Sequence, residues 1–425
     1  METNKKNIPE IRFPEFMNDG EWRLDTIETI FDIRNGYTPS KANPLFWENG
    51  TIPWFRMEDI RKSGHILSDA IQHINPKAVK GSGLIPAYSI IVATTATIGE
   101  HALTIVDSLA NQQFTFLTKC KSFEKRIDML YFHYFMFIID EWCKRNTNAG
   151  GLLSVNMDSF KRLVVPYPPT IAEQKRIAEC FYSLDKVIES TRQKLEQLKA
   201  HRKGLMQKLF PAPGKSVPEC RFKEFDNDGK WNSSTLKDIA DVVQGYGFPE
   251  RLQGKHVGKY PFIKVGDISY AYNQGDLSIK SASNYIDDKE LIELKATAIK
   301  AGTTIFAKVG EAIKANKKVI TSMECLIDNN VAGIKCKNNH NTDDLFLFYS
   351  MTRIDFTEFA GGVVPSIKKT TIEEITISIP NNITEQHRIA HSLSSVDKLI
   401  NLYSSKLEEL ERHKQALRQR LFPTI

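Results

Sequence analysis

The stretch PPTIAEQKRIAECFYSLDKVIESTRQKLEQLKAHRKGLMQKLFP, residues 168–211, returns as PNNITEQHRIAHSLSSVDKLINLYSSKLEELERHKQALRQRLFP, residues 380–423. In the first copy Ile177, Phe181, Leu184, Ile188, Thr191, Leu195, Leu198, Arg202, Leu205 and Leu209 follow one another in alternating steps of four and three. In the second the same ladder is Ile389, Leu393, Val396, Ile400, Tyr403, Leu407, Leu410, Lys414, Leu417 and Leu421. A 3.5-residue period sustained this long predicts a coiled-coil seam. Both ladders break at one level, Arg202 matching Lys414. Pro168-Pro169 and Pro380 open the copies just before the helices, where a helix start tolerates them, and Pro211 and Pro423 close them. Thr170, followed by Glu173 in capping-box spacing, and Thr384 are the expected caps. At 1.5 Å per residue each helix spans ~55 Å. An antiparallel pair is the simplest use of two such helices, with a folded insert at each end and a pseudo-two-fold axis between.

The repeat extends upstream. PEIRFPEFMNDGEW (9–22) returns as PECRFKEFDNDGKW (218–231), keeping Arg12/Arg221, Asp19/Asp228, Gly20/Gly229 and Trp22/Trp231 in register. Gly36-Tyr37 and Gly245-Tyr246 continue it. Between these matched ends the halves diverge. IPWFRMEDI (52–60) still echoes YPFIKVGDI (260–268), and Gly150-Gly151 with Ser154 echoes Gly361-Gly362 with Ser366. Each half is therefore a constant frame around a variable insert, as a duplication followed by drift towards two tasks would leave it. The expected fold is α+β: two mixed α/β domains separated by an antiparallel coiled coil of two long helices, with a pseudo-two-fold internal repeat. The expected boundaries are 1–167, 168–211 (first long helix), 212–379 and 380–425 (second long helix). Segments 88–99, 101–106, 303–310 and 317–327 favour strands, and 129–142 and 344–356 favour helices with a buried face.

The 425 residues suit two or three domains. At 41% hydrophobic and 25% charged, the composition is that of a globular protein. The formal charge of +6 fits a nucleic-acid partner without requiring one. The longest apolar run, near Met129–Ile139, falls short of the ~20 residues that span a bilayer. The opening METNKKNIPE has no apolar core, so no secretory leader is expected and the cytoplasm is the expected location. Six scattered cysteines show no metal-ligand spacing and read as reduced thiols.

Catalytic motifs are missing. Gly214-Lys215-Ser216 lacks the glycine a phosphate-binding loop needs five residues earlier, where Leu209 stands in the ladder. Asn43-Pro44-Leu45-Phe46 lacks the second proline of an amino-methyltransferase motif and a Gly-rich strand–turn–helix before it. The pattern is that of a binder.

The Gly36–Ser40 turn (GYTPS), Thr97-Ile98-Gly99, Asn111-Gln112, and the paired EQ-x-R-I-A helices ending in LFP together resemble the specificity (S) subunit of type I restriction–modification systems. The second half departs in detail, with Gly245–Pro249 reading GYGFP. The resemblance covers essentially the whole chain. It implies two target-recognition domains that read double-stranded DNA and helices that dock two methyltransferase (M) subunits. It also implies restriction (R) subunits as further partners, with S-adenosylmethionine, ATP and Mg belonging to the partner subunits and no cofactor in this chain. The implied target is asymmetric and bipartite: two half-sites of roughly 3–5 base pairs, a turn of DNA apart, with an unread gap of about 5–8.

Polar, turn-rich context beside strands nominates Arg34, Tyr37, Thr38, Lys41, Arg56, Arg61 and Lys62 for DNA contact in the first insert. In the second it nominates Gln244, Tyr246, Arg251, Lys255, Lys259, Lys264, Lys314, Asn316, Lys317 and Lys318. Three lysines within Lys314–Lys318 suggest a phosphate patch. Glu173, Gln174, Arg176, Arg202, Glu385, Gln386, Arg388 and Lys414 are the candidates for partner docking on outer helix faces. The alternative is a coiled-coil scaffold presenting two protein-binding modules.

Overall fold

The computed structural model describes residues 8–148, 154–338, 341–423 and 425; Gly150-Gly151 and Met1–Asn7 lie outside them. The chain forms two compact units, one of residues 1–190 with 408–425 and one of residues 191–407. The long helices run Ile171–Lys208 and Ile383–Leu421, as the ladders predict. Each begins in one unit and ends in the other.

In the first unit a five-stranded sheet has the order Phe31–Asn35, Phe114–Lys119, Ser89–Ala93, His101–Thr104, Ile66–Leu67. The last pair is parallel and the rest antiparallel. A three-stranded sheet places Ile52–Phe55 between His73–Ile74, antiparallel, and Leu109–Ala110, parallel. A two-stranded clasp pairs Arg23–Thr26 with Val164–Tyr167 and ties the start of the insert to its end. Met129–Arg145 is the helix expected from its apolar run, and it buries Tyr131, Phe132, Phe135 and Ile139.

The second unit repeats these three sheets, whereas a further pair in the first unit, Thr147–Asn148 with Ser154–Val155, has only an isolated bridge, Gly361 to Ser366, in its place. Its five-stranded sheet runs Ala240–Gln244, Val331–Cys336, Thr304–Ala307, Lys318–Thr321, Ser278–Ile279. Its three-stranded sheet centres on Tyr260–Ile263, and its clasp pairs Asn232–Thr235 with Thr376–Ile379. The faint landmarks are structural equivalents. Arg56 and Lys264 each stand at a helix N-cap, their backbone N–H groups held by the buried carboxylates of Asp59 and Asp267 three residues on. The inserts thus drifted in sequence while keeping one fold.

The matched LFP ends have a packing reason. Phe422 stacks on Phe181 at 5.5 Å in the core of the first unit. Its counterpart Phe210 stacks on Phe346 at 5.4 Å in the core of the second. In each unit the start of one long helix runs antiparallel to the end of the other. Glu173 N–H is bonded to Thr170 Oγ1 at 3.4 Å, as the capping box predicts. The second cap differs from expectation: Asn382, not Thr384, accepts the N–H of Thr384 on its side chain.

Candidate nucleic-acid interface

One end of each five-stranded sheet gathers polar side chains on a rigid backbone frame. In the first unit the edge strand runs out at Gly36-Tyr37. A Cβ on Gly36 would lie 2.2 Å from the carbonyl oxygen of Asn111, so only glycine permits this approach. Tyr37 N–H is bonded to Ala110 O at 2.9 Å, and Thr38 meets the Gln112 side chain. Thr94 N–H donates to Gln113 O at 3.1 Å, and Val155 N–H donates to Thr94 O at 3.0 Å.

The second unit repeats the frame bond for bond. A Cβ on Gly245 would lie 2.0 Å from Asp328 O. Tyr246 N–H donates to Ile327 O, Lys308 N–H to Asn330 O and Ile367 N–H to Lys308 O, at 2.8–2.9 Å. Within this shared frame the side chains differ. Asn111-Gln112-Gln113 becomes Asp328-Asn329-Asn330, and Thr94 becomes Lys308. Gln112, Asn329, Asn330, Asn35 and Gln244 are exposed. An exposed amide can donate and accept at once, which is what bidentate pairing with an adenine edge requires.

The nominated residues fall out unevenly. Arg34, Tyr37 and Thr38 sit at this sheet end; Arg34 donates to Gly83 O at 3.0 Å, and Lys80 lies over the Tyr37 ring at 4.4 Å. Gln244 and Tyr246 hold the matching place, with the Tyr246 hydroxyl accepting from Thr297 N–H. Lys41 lies apart, lining an open pocket of about 400 Å³ with Pro44, Trp47, Glu48 and Gln72. Arg61 and Lys62 are exposed on the helix Met57–Ser63, while Arg56 pairs with Glu58 at 3.3 Å. Lys264 donates to Gln253 and lies over Phe248. Arg251, Lys255 and Lys259 are paired with Glu293, Asp287 and Asp288, which cancels much of the field a phosphate would feel.

The Lys314–Lys318 phosphate patch is not formed. Lys318 is 1% exposed and donates to the carbonyl of Ile354 and the side chain of Asn316. Burial pulls its ammonium down to about 8. Asn316, at φ 49°, is spent on Ile354 and Phe356. Lys314 pairs with Glu311, and Lys317 donates to Asn273. A strand that starts at Lys318 alternates its faces, so adjacent lysines cannot share one surface.

Four of the docking candidates are likewise interior. Glu173 and Glu385 are 0% exposed and take bidentate bonds from Arg12 and Arg221 at 2.6–2.8 Å. Gln174 bridges Asp128 N–H to the carbonyls of Arg126 and Pro168; Gln386 does the same with Asp343, Asn341 and Pro380. The EQ pair braces the frame to the helix rather than facing outward. Arg202 and Lys414 are held in ion pairs with Asp397 and Asp185. Arg176 and Arg388 remain half-exposed, resting on Phe13 and Phe222.

Sequence reasoning favoured cations and did not nominate the amides Asn35, Gln112, Gln113, Asn329 and Asn330 for DNA contact. The signal was present in Asn111-Gln112 and its counterpart after the matching strand.

The two inserts thus share one backbone frame and carry unlike polar faces. A family model described as "Type I restriction modification DNA specificity domain" matches residues 19–200 and 228–412, and the chain belongs to that family, whose curated relatives are named specificity subunits. It is 44% identical over 174 residues to the EcoprrI specificity subunit of Escherichia coli, across 40% of this chain and 43% of that protein. It is 25% identical over 298 residues to the putative MjaX specificity subunit of Methanocaldococcus jannaschii, across 67% and 66%. These matches span less than two thirds of either relative. The fold is similar to that of the S subunit of a type I system from M. genitalium, with a TM-score of 0.64 and 14% identity over 98% of this chain and all of that one. No helix among the described residues is long and apolar enough to cross a membrane.

Proposed function

We propose that this chain is the DNA-reading subunit of a type I restriction–modification complex, each insert reading one half of an asymmetric, split target. The supporting observation is the pair of turns Asn111–Gln113 and Asp328–Asn330, held by matching backbone bonds and carrying different side chains. A common frame presents its readers at a common depth, and the side chains decide which bases they fit. Two methyltransferase subunits dock on the two repeated helix starts, where Arg176 and Arg388 stand exposed. Restriction subunits join through that assembly, and S-adenosylmethionine, ATP and Mg act in the partner subunits. The cytoplasm, where the DNA is, is the proposed location.

The test is substitution at the turns in the chain co-expressed with its methyltransferase. Gln112→Ala relaxes methylation at positions of one half-site only, and Asn330→Ala at positions of the other. A good bidentate base contact carries about 1–3 kcal/mol of discrimination. Unchanged motifs in both variants would refute the assignment of these turns.

A further inference from the structure

Among the described residues the most exposed large hydrophobic side chain, Val363, sits at a hairpin tip of the second unit. Gly361 and Ser366 exchange both backbone hydrogen bonds, at 3.1 and 3.0 Å, closing a turn through Gly362 at φ 93°. Between them Val363 is 104% exposed and Val364 63%. Two β-branched aliphatics held mostly in water on a braced turn are costly to leave uncovered. The tip is fastened to the sheet end described above: Gly310 N–H donates to Pro365 O at 2.7 Å, Ile367 N–H to Lys308 O, and Lys308 N–H to Asn330 O. Lys368 and Lys369 follow it on the surface.

The first half carries the same ingredients in sequence, Gly150-Gly151-Leu152-Leu153-Ser154. There the bridge Thr95–Ser154 repeats Val309–Ser366. The inserts have changed their polar turns but both keep two glycines and two aliphatics. A feature common to readers of different sequences touches what every duplex shares. Aliphatic side chains make no phosphate bonds, which leaves the base stack.

We propose that Val363-Val364 is an apolar wedge that packs against a base step in the half-site read by the second unit. Apolar wedges of this kind partly unstack a step and bend the duplex around the protein. The proposal rests on the reading of the Asp328–Asn330 edge as a DNA interface, from which the tip continues.

The experiment uses the full chain assembled with its methyltransferase, and a duplex carrying its mapped target with 2-aminopurine placed singly through the second half-site. Wild-type complex should raise the fluorescence at one step. The variant Val363→Ser/Val364→Ser should lose that rise, bind about tenfold more weakly and keep the salt dependence of binding, because no phosphate contact is lost. Val363→Leu/Val364→Leu, which keeps the apolar tip, should retain both the signal and the affinity, and guards against a folding defect. Unchanged fluorescence and affinity in the serine variant would overturn the wedge. Loss of assembly with the methyltransferase would also overturn it and make the tip a protein contact. A wild-type complex with no specific duplex binding would instead sink the recognition reading, and the wedge with it.

Discussion

Lys414 meets Asp185 at 2.5 Å, and Arg202, 212 residues before Lys414, pairs with Asp397, 212 residues after Asp185. Each carboxylate also accepts from a buried tyrosine: Tyr134 on Asp185 at 3.0 Å and Tyr349 on Asp397 at 2.7 Å. Burial, and then the neighbouring carboxylate, pushes both phenols up. The charged member of each ladder is therefore part of a three-membered polar lock, made once in each unit. It fixes the register of one helix against the other, the best-attested use of a polar group in an apolar seam.

Because one lock uses arginine and the other lysine, Arg202→Lys and Lys414→Arg should each cost less than ~1 kcal/mol. Asp397→Asn leaves Arg202 without its counter-charge in a half-buried site and should cost about 1–3 kcal/mol. A double-mutant cycle of Arg202→Met with Asp397→Asn, read by denaturant unfolding, should show coupling above 0.5 kcal/mol. Additive losses would mean the pair is not a unit.

Gly36→Ala and Gly245→Ala each drive a Cβ into carbonyl oxygens of the facing strand end, which are backbone and cannot swing aside. Each should lower stability by roughly 2 kcal/mol or more and disturb the half-site read by its own insert. Thermal unfolding and half-site methylation check this. Wild-type melting in either variant would contradict the close approach.

Lys318 gives a pH signature. In the fold its proton leaves near about 8, against 10.5 for an ordinary lysine. Between those values the unfolded chain binds more protons, so stability rises with pH from ~8 to ~10.5 through this group. The contribution is on the order of 2–3 kcal/mol. Unfolding of wild-type and Lys318→Met across this range should differ in slope, the variant lacking the rise. Equal slopes would place Lys318 in water.

Glu173→Gln and Glu385→Gln break buried bidentate pairs and should cost about 3–5 kcal/mol. Arg176→Ala and Arg388→Ala, both at the surface, should leave melting within about 0.5 kcal/mol and weaken methyltransferase docking. Co-purification with the methyltransferase, set beside melting curves, separates the two effects. Stable Glu173→Gln that fails to dock would return the EQ pair to the outer face.

Periodicity carried most of the fold. The ladders gave both long helices, because heptad spacing is a local signal, and the repeat gave two equivalent units. Strand equivalence between the inserts was legible only at landmarks such as Asp59/Asp267 and Gly36/Gly245, where a capping carboxylate or a glycine is irreplaceable. Elsewhere any apolar residue fills a strand face, so the sequences parted while the sheets did not. Charge was a poor guide to the site. Lys318 looks solvated in a run of lysines yet lies inside the fold, and Glu173 looks like a surface acid yet is claimed by Arg12, 161 residues away. Long-range pairing of this kind leaves no trace in local composition. The structure brings Gln112 and Asn329 to matching places, yet neither stands among the residues that charge and turn context nominate for DNA contact.

The central claim is that two differently faced inserts read two halves of one split target. The direct measurement is a genome-wide methylation map from a host lacking other adenine methylation, carrying this chain and its methyltransferase. The account predicts one asymmetric motif, split by an unread gap, with a methylated adenine on each strand. A continuous or palindromic motif, or no methylation with the two proteins shown to be folded and bound, would contradict it.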